Sequence, residues 1–174
     1  MLTSALVSVE EYLNTSYDPD CDYVDGRVVE RNLGELDHSS LQTEISFYFR
    51  SRREKWGVHA FVEQRVQVSP TRFRIPDICV LTGAFPTEQI FRAPPFLAIE
   101  ILSPDDEPGE TLARVSDYLR SGTPAIWIVD PYKRKLFVAD SGGIHESADL
   151  LAATELTGTV DFNELFRQLE EPAD

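Results

Sequence analysis

Two carboxylates in this chain stand where a carboxylate is costly. Glu100 interrupts "FLAIEIL" (96–102), in which every other side chain is apolar. Asp77 sits inside "FRIPDICVL" (73–81), with an apolar residue on either side. Burying an ionised carboxylate without compensation costs several kcal/mol, so each must be paired, protonated or bound to a cation. If the two strands are neighbours, the carboxylates converge on one pocket. Two oxygen ligands from different strands, completed by waters and a phosphate, are an ordinary way to hold Mg²⁺. A divalent ion so held activates water and steadies the charge of a phosphodiester transition state. The competing reading is a structural charge, with Glu100 paired to an arginine such as Arg74 or Arg114.

The elements that must position these groups follow from periodicity. Ser8 and Glu11 form a capping-box pattern that opens a short helix. "CDYVDGRVVER" (21–31) alternates around Asp25-Gly26, a hairpin signal. Leu41, Ile45, Tyr48 and Phe49 recur at helical spacing and predict a helix from about Ser39 to Lys55. Residues 57–68 and 73–82 read as two strands. Pro76 argues for a bulge, a strand start or an edge in the second, because proline cannot donate to the ladder. "FLAIEIL" is the most apolar strand and is expected at the sheet centre, with Glu100 near its C-terminal end, where α/β sheets build sites.

A helix over 109–121 follows, with Pro108 at its start and Gly122 at its cap. "PAIWIVD" (124–130) and "KLFVAD" (135–140) read as paired strands, and "FNELFRQL" (162–169) as a closing helix. Strands 96–102 and 125–130, joined by a helix, should run parallel through a right-handed crossover. The expected fold class is α/β (or α+β), a mixed sheet with helices on both faces.

The 174 residues predict one domain, with its core at about 8–167. No apolar run reaches the ~18–20 residues that a bilayer requires, so no membrane partner is expected. The start "MLTSALVSVEEYL" lacks a basic leader. Cys21 and Cys79 read as two core thiols, and a reducing, cytoplasmic setting is expected. The formal charge of −14 runs against broad phosphate contact with nucleic acid. The bases are nevertheless grouped in "FRSRREK" (49–55), "RFR" (72–74) and "KRK" (133–135), each either a solvated face or the lining of a nucleic-acid cleft.

The combination of "IPDICVL", "FLAIEILSP" and "YLRSGTPAIWIVDP" resembles the Uma-two family of restriction endonucleases, within the PD-(D/E)XK nuclease superfamily. "YVDGRVVE", His38 and "FNELF" extend the likeness over roughly residues 8–167. The resemblance implies a restriction-endonuclease-like fold and a metal-dependent endonuclease acting on DNA, with Mg²⁺ (or Mn²⁺) as cofactor. It implies that Asp77 and Glu100 hold the metal. The superfamily's lysine two positions after the second acid is Leu102 here. The family's alternative lysine, four residues before the helix tyrosine (Tyr118), is Arg114. Arginine stays protonated and supplies only charge and a donor fork, so it stabilises charge without acting as a base. That departure leaves a second expectation open, a nuclease-fold protein that binds or assembles without cutting.

His38, opening a helix, is placed to contact a phosphate or a leaving group, and Asp22 stands where the family has a further acid. Glu63, Gln64 and Glu44 are minor candidates, while His59, His145, Trp127 and Tyr118 read as structural. A homodimer suits the cutting of two strands.

Overall fold

The computed structural model describes residues 6–32, 34–147, 150–152, 159–167 and 169. The reading that the start lacks a basic leader rests partly on residues 1–5, and the predicted closing helix (162–169) takes in Gln168; residues 1–5 and Gln168 lie outside the described residues.

Helix α1 (Val9–Asn14) begins where Ser8 Oγ accepts the Glu11 N–H at 3.1 Å, as the capping pattern predicts. Strands β1 (Cys21–Val24) and β2 (Arg27–Glu30) form the expected hairpin, with Asp25 (φ 49°) and Gly26 (φ 92°) both in the left-handed region its turn requires. Helix α2 (Leu36–Ser51) buries His38, Leu41, Ile45 and Phe49 along one face. It starts three residues before the predicted boundary and breaks at Arg52, where φ is −108° and ψ 6°; the short α3 (Arg53–Trp56) follows.

The two predicted strands of 57–82 are four. Strand β3 (Val58–Val62) pairs antiparallel with β6 (Ile78–Thr82), while β4 (Val66–Ser69) and β5 (Arg72–Arg74) pair with each other. The bends fall at Glu63, with φ 48°, and at the proline-containing step Ile75–Pro76–Asp77. The result is one long hairpin folded across two sheets. Its tip joins the β1–β2 hairpin in a four-stranded sheet of order β2-β1-β5-β4.

Strand β7 (Leu97–Ile101) is buried throughout and pairs with β6 on one side. On the other it runs parallel to β8 (Ala125–Asp130), which pairs with β9 (Lys135–Asp140). The connection is α4 (Pro108–Ser121), closed by Gly122 at φ 103°. Strand β10 (Gly143–Ser147) completes a six-stranded mixed sheet of order β10-β9-β8-β7-β6-β3. Strands β11 (Leu150–Ala152) and β12 (Thr159–Asp161) form a separate pair before α5 (Phe162–Arg167).

Alternation along β6 and β7 divides the core. Ile78, Val80, Leu97, Ile99 and Ile101 pack with residues of α2 and α5, whereas Cys79 and Ala98 pack with Val115 and Tyr118 of α4. The mixed α/β sheet flanked by helices is restriction-endonuclease-like. Cys21 and Cys79 are both free and buried. Among the described residues no helix is long and apolar enough to cross a membrane.

Candidate functional site

The β6–β7 register pairs Ile78 with Ile99, so one further step sets Asp77 opposite Glu100. Asp77 is 4% exposed and Glu100 3%, so both carboxylates are removed from bulk water. Their compensation differs. Asp77 Oδ1 accepts from Arg31 Nη2 at 2.7 Å, and Oδ2 accepts from the Ile101 N–H at 2.7 Å. His38 Nε2 lies 3.4 Å from the same Oδ2. The Asp77 main-chain carbonyl accepts from the Gln42 side chain and from the Glu63 N–H, which fixes the bend on which the aspartate stands.

Burial opposes charge on Asp77, but the His38 hydrogen bond and the Arg31 charge outweigh it and hold its pKa below the ordinary carboxylate range. The same contact raises the pKa of His38 against the effect of burial. Gly34 makes room for that imidazole, since a Cβ there would stand 2.6 Å from His38 Nδ1.

Glu100 faces α4. Tyr118, one turn after Arg114 on the same helix, donates its hydroxyl to Glu100 Oε1 at 2.8 Å. Arg114 Nε is 2.9 Å from Oε2, close enough for charge attraction. Its N–H is not aligned with that oxygen and finds no hydrogen-bond acceptor, so the pair is electrostatic rather than a formed hydrogen bond. Arg114 Nη2 also reaches Asp106 Oδ1 at 3.3 Å, and Asn32 Nδ2 donates to the same oxygen at 3.2 Å. Burial dominates at Glu100 and, opposed by Arg114, pushes its pKa up to about 7.

This shift carries a pH signature for the metal-free protein. An unfolded-state value near 4.5 against about 7 in the fold means that the native chain binds this proton more tightly. The stabilisation is complete below about pH 4.5 and is lost as pH rises through 7. At about 1.4 kcal/mol per pH unit it amounts to about 3 kcal/mol. The raised pKa of His38 acts in the same direction, so the Glu100→Gln variant isolates the glutamate. Urea melts between pH 4.5 and 8 should show the wild type losing about 3 kcal/mol more than Glu100→Gln. Equal slopes would show that Glu100 ionises normally.

Asp77, Glu100, Arg31, His38, Asp106 and Arg114 share the wall of a cavity of about 20 Å³, room for a water-sized occupant. Asp77, Arg31 and His38 also face a neighbouring polar groove of about 370 Å³ whose lining includes Gln42, Asp20 and Glu63. Among the described residues no three His, Cys, Asp or Glu side chains group at metal-holding spacing. A hard divalent ion nevertheless needs only one or two carboxylates, with waters and phosphate completing its shell. Two adjoining carboxylates beside a small cavity, one of them incompletely neutralised by a misaligned arginine, fit such an ion.

The structure thus brings together Asp77, Glu100, Arg114 and His38, and Glu63 joins them at the groove. Other candidates lie elsewhere. Asp22, read from the resemblance as a further acid, is buried against Arg74 (2.8 Å) and the Ile75 N–H (3.0 Å). Glu44 lies with Phe47, Tyr48, Arg52, Glu164 and Leu165 at a separate hollow. Gln64 is spent on the Arg65 and Gln89 carbonyls. His59 bonds the Gly83 carbonyl, and His145 is exposed on β10. Trp127 is core, as read.

Tyr118 is buried, but its hydroxyl serves Glu100, which a packing reading does not anticipate. Arg31, Asp106 and Asn32 were missed because each sits in an ordinary polar stretch. None of the three basic clusters lines the cavity or the groove. Arg72 and Arg74 are instead committed to Asp25, Asp22 and Asp117.

A profile of the Uma2 family, described as "Putative restriction endonuclease", matches residues 9–170. The chain is similar to a solved protein described as "a putative nuclease belonging to DUF820 from Anabaena variabilis ATCC 29413". The two share 24% identity at a TM-score of 0.80, over 94% of this chain and 99% of that one. At that identity the likeness shows the fold alone. A chain of a DrdV–DNA complex matches at 17% identity and a TM-score of 0.40, over 77% of this chain and 12% of that one, and carries no argument. No curated protein matches the chain.

Proposed function

The chain belongs to the Uma2 family, and from that premise we propose that it is a metal-dependent endonuclease, one nuclease-like domain that hydrolyses DNA phosphodiester bonds. The observation that carries this reading is the pair of buried carboxylates on adjacent strands, Asp77 and Glu100, walled by Arg31, Arg114 and His38. Asp77 and Glu100 would hold Mg²⁺ or Mn²⁺, which when bound supplies Lewis acidity and a water of lowered pKa.

The chain's own groups do the rest. The Ile101 N–H and the Tyr118 hydroxyl fix the orientation of the two carboxylates. Arg114 contributes a permanent positive charge beside Glu100, against which negative charge can build on the phosphorane. It takes no proton from the attacking water. His38 offers a donor to a phosphate oxygen at the groove. A cytoplasmic protein acting as a homodimer, one site per strand, would cut a duplex.

The test is incubation of plasmid and of single-stranded DNA with Mg²⁺ or Mn²⁺, with a chelator control. Metal-dependent nicking supports the reading, and its absence under both metals sinks it. Arg114→Lys restores a group that can lose its proton, and general-base participation is worth on the order of 10²-fold or more. The variant should therefore cut about 10² times faster at pH 8–9. An unchanged rate would mean that charge alone is needed at this position.

One observation favours a second reading, a binding or assembly module without chemistry: each carboxylate already has an arginine within ion-pair distance. Calorimetric titration that detects no Mg²⁺ or Mn²⁺ binding supports that alternative.

A further inference from the structure

Two arginines, Arg31 and Arg114, flank the two carboxylates, and a third, Arg74, is buried nearby in sequence; their donors are used very differently. Arg74 is fully committed, donating from Nε and Nη2 to Asp117 and from Nη1 to Asp22. Arg114 is divided among Glu100, Asp106 and Thr111. Arg31 is the exception. Its side chain is only 17% exposed, yet among the described residues its guanidinium makes one hydrogen bond, to Asp77. A guanidinium has five N–H donors in a rigid fork suited to phosphate. Arg31 lines both the small cavity beside Glu100 and the 370 Å³ groove, so its unused donors border the space a substrate strand would occupy.

Resting on the nuclease reading above, we infer that Arg31 is an exchangeable phosphate clamp. In the metal-free protein it neutralises Asp77. When a phosphodiester enters the groove, the guanidinium turns from Asp77 to a phosphate oxygen and leaves the carboxylate open to a cation. The exchange keeps charge balanced at both stages, since Asp77 passes from one positive partner to another and Arg31 from one anion to another. The ligand class is the phosphate of a nucleic-acid strand. The geometry that makes this possible is the position of Arg31 at the end of the β1–β2 hairpin, where it follows β2 and reaches across to Asp77.

The inference has a signed consequence that a structural ion pair does not share. Arg31→Gln removes the cation competing for Asp77, so Mn²⁺ measured by calorimetry without DNA should bind about tenfold tighter. The same variant should bind the single-stranded oligomer d(T)10, measured in Ca²⁺, about tenfold more weakly. Arg31→Lys keeps the charge, protects the fold from an unpaired Asp77, and should preserve the weaker Mn²⁺ binding while losing part of the d(T)10 affinity. Parallel loss of both affinities, or no change in either, overturns the inference.

A second arm needs no metal. Asp77→Asn frees Arg31, so in EDTA the Arg31→Gln substitution should cost at least about fivefold more d(T)10 affinity in the Asp77→Asn background than in wild type. Equal costs overturn the clamp. If neither wild type nor Arg31→Gln binds Mn²⁺, the metal reading fails, and the clamp then stands or falls on this metal-free cycle.

Discussion

Asp77→Ala and Glu100→Ala are each expected to lower metal-dependent DNA cleavage by about 10³-fold or more. The two residues supply the carboxylates that meet across β6 and β7 at the small cavity, and hard divalent ions are held by one or two such groups. On the proposed mechanism, removing either would leave an ion without half of its protein ligands and the transition state without several kcal/mol of charge stabilisation. A loss of about 4 kcal/mol corresponds to about 10³ in rate. Because both side chains are buried among arginines, the alanine forms also orphan a cation. Asp77→Asn and Glu100→Gln are therefore the companions to measure: they keep an acceptor for the Ile101 N–H and for Tyr118 while removing the charge. Loss of cleavage in amide forms that remain folded at the assay pH, checked by circular dichroism, assigns the effect to chemistry. Cleavage indifferent to all four substitutions would remove these residues from the mechanism.

The largest effect on stability is expected at Arg74. Replacing it with alanine should destabilise the fold by about 3–5 kcal/mol, the range for removing one partner from a buried ion pair. Arg74 is 6% exposed, with Asp22 at 3% and Asp117 at 5%, so the carboxylates left behind have little access to water. Asp22 retains the Ile75 N–H, and Asp117 retains Arg72 at 2.8 Å, so neither is wholly abandoned. The cluster does more than balance charge. Asp117 lies on α4 next to Tyr118, the tyrosine that holds Glu100, and Arg74 stands three residues before Asp77. The ion pairs thereby tie the four-stranded sheet to the helix covering the six-stranded one. Urea unfolding of Arg74→Ala and of the volume-matched Arg74→Met measures the cost. A change below about 1 kcal/mol for both would show that the cluster is decorative.

Local features were legible because local physics decides them. The turn at Asp25-Gly26, the Ser8 cap, the Gly122 cap and the parallel pairing of β7 with β8 through a helix each depend on residues near one another in the chain. The candidate carboxylates were legible for a related reason: a charged residue inside an apolar run advertises its own burial cost. The folding of residues 57–82 across two sheets was not. Pro76 marks a break before β6 in the sequence, but nothing local marks the bend at Glu63 or the pairing of β5 with β1 outside the six-stranded sheet.

What the sequence by itself determined, then, is the N-terminal hairpin, the helix-linked parallel pair β7–β8, the family and the two acids that burial makes conspicuous. The tertiary structure alone decided how they are compensated. Arg31 reaches Asp77 from 46 positions away, Tyr118 reaches Glu100 from 18, and Asp22 leaves the site for Arg74 across 52. No periodicity encodes such pairings, because a buried charge is satisfied by whichever partner the packed chain brings within hydrogen-bond reach.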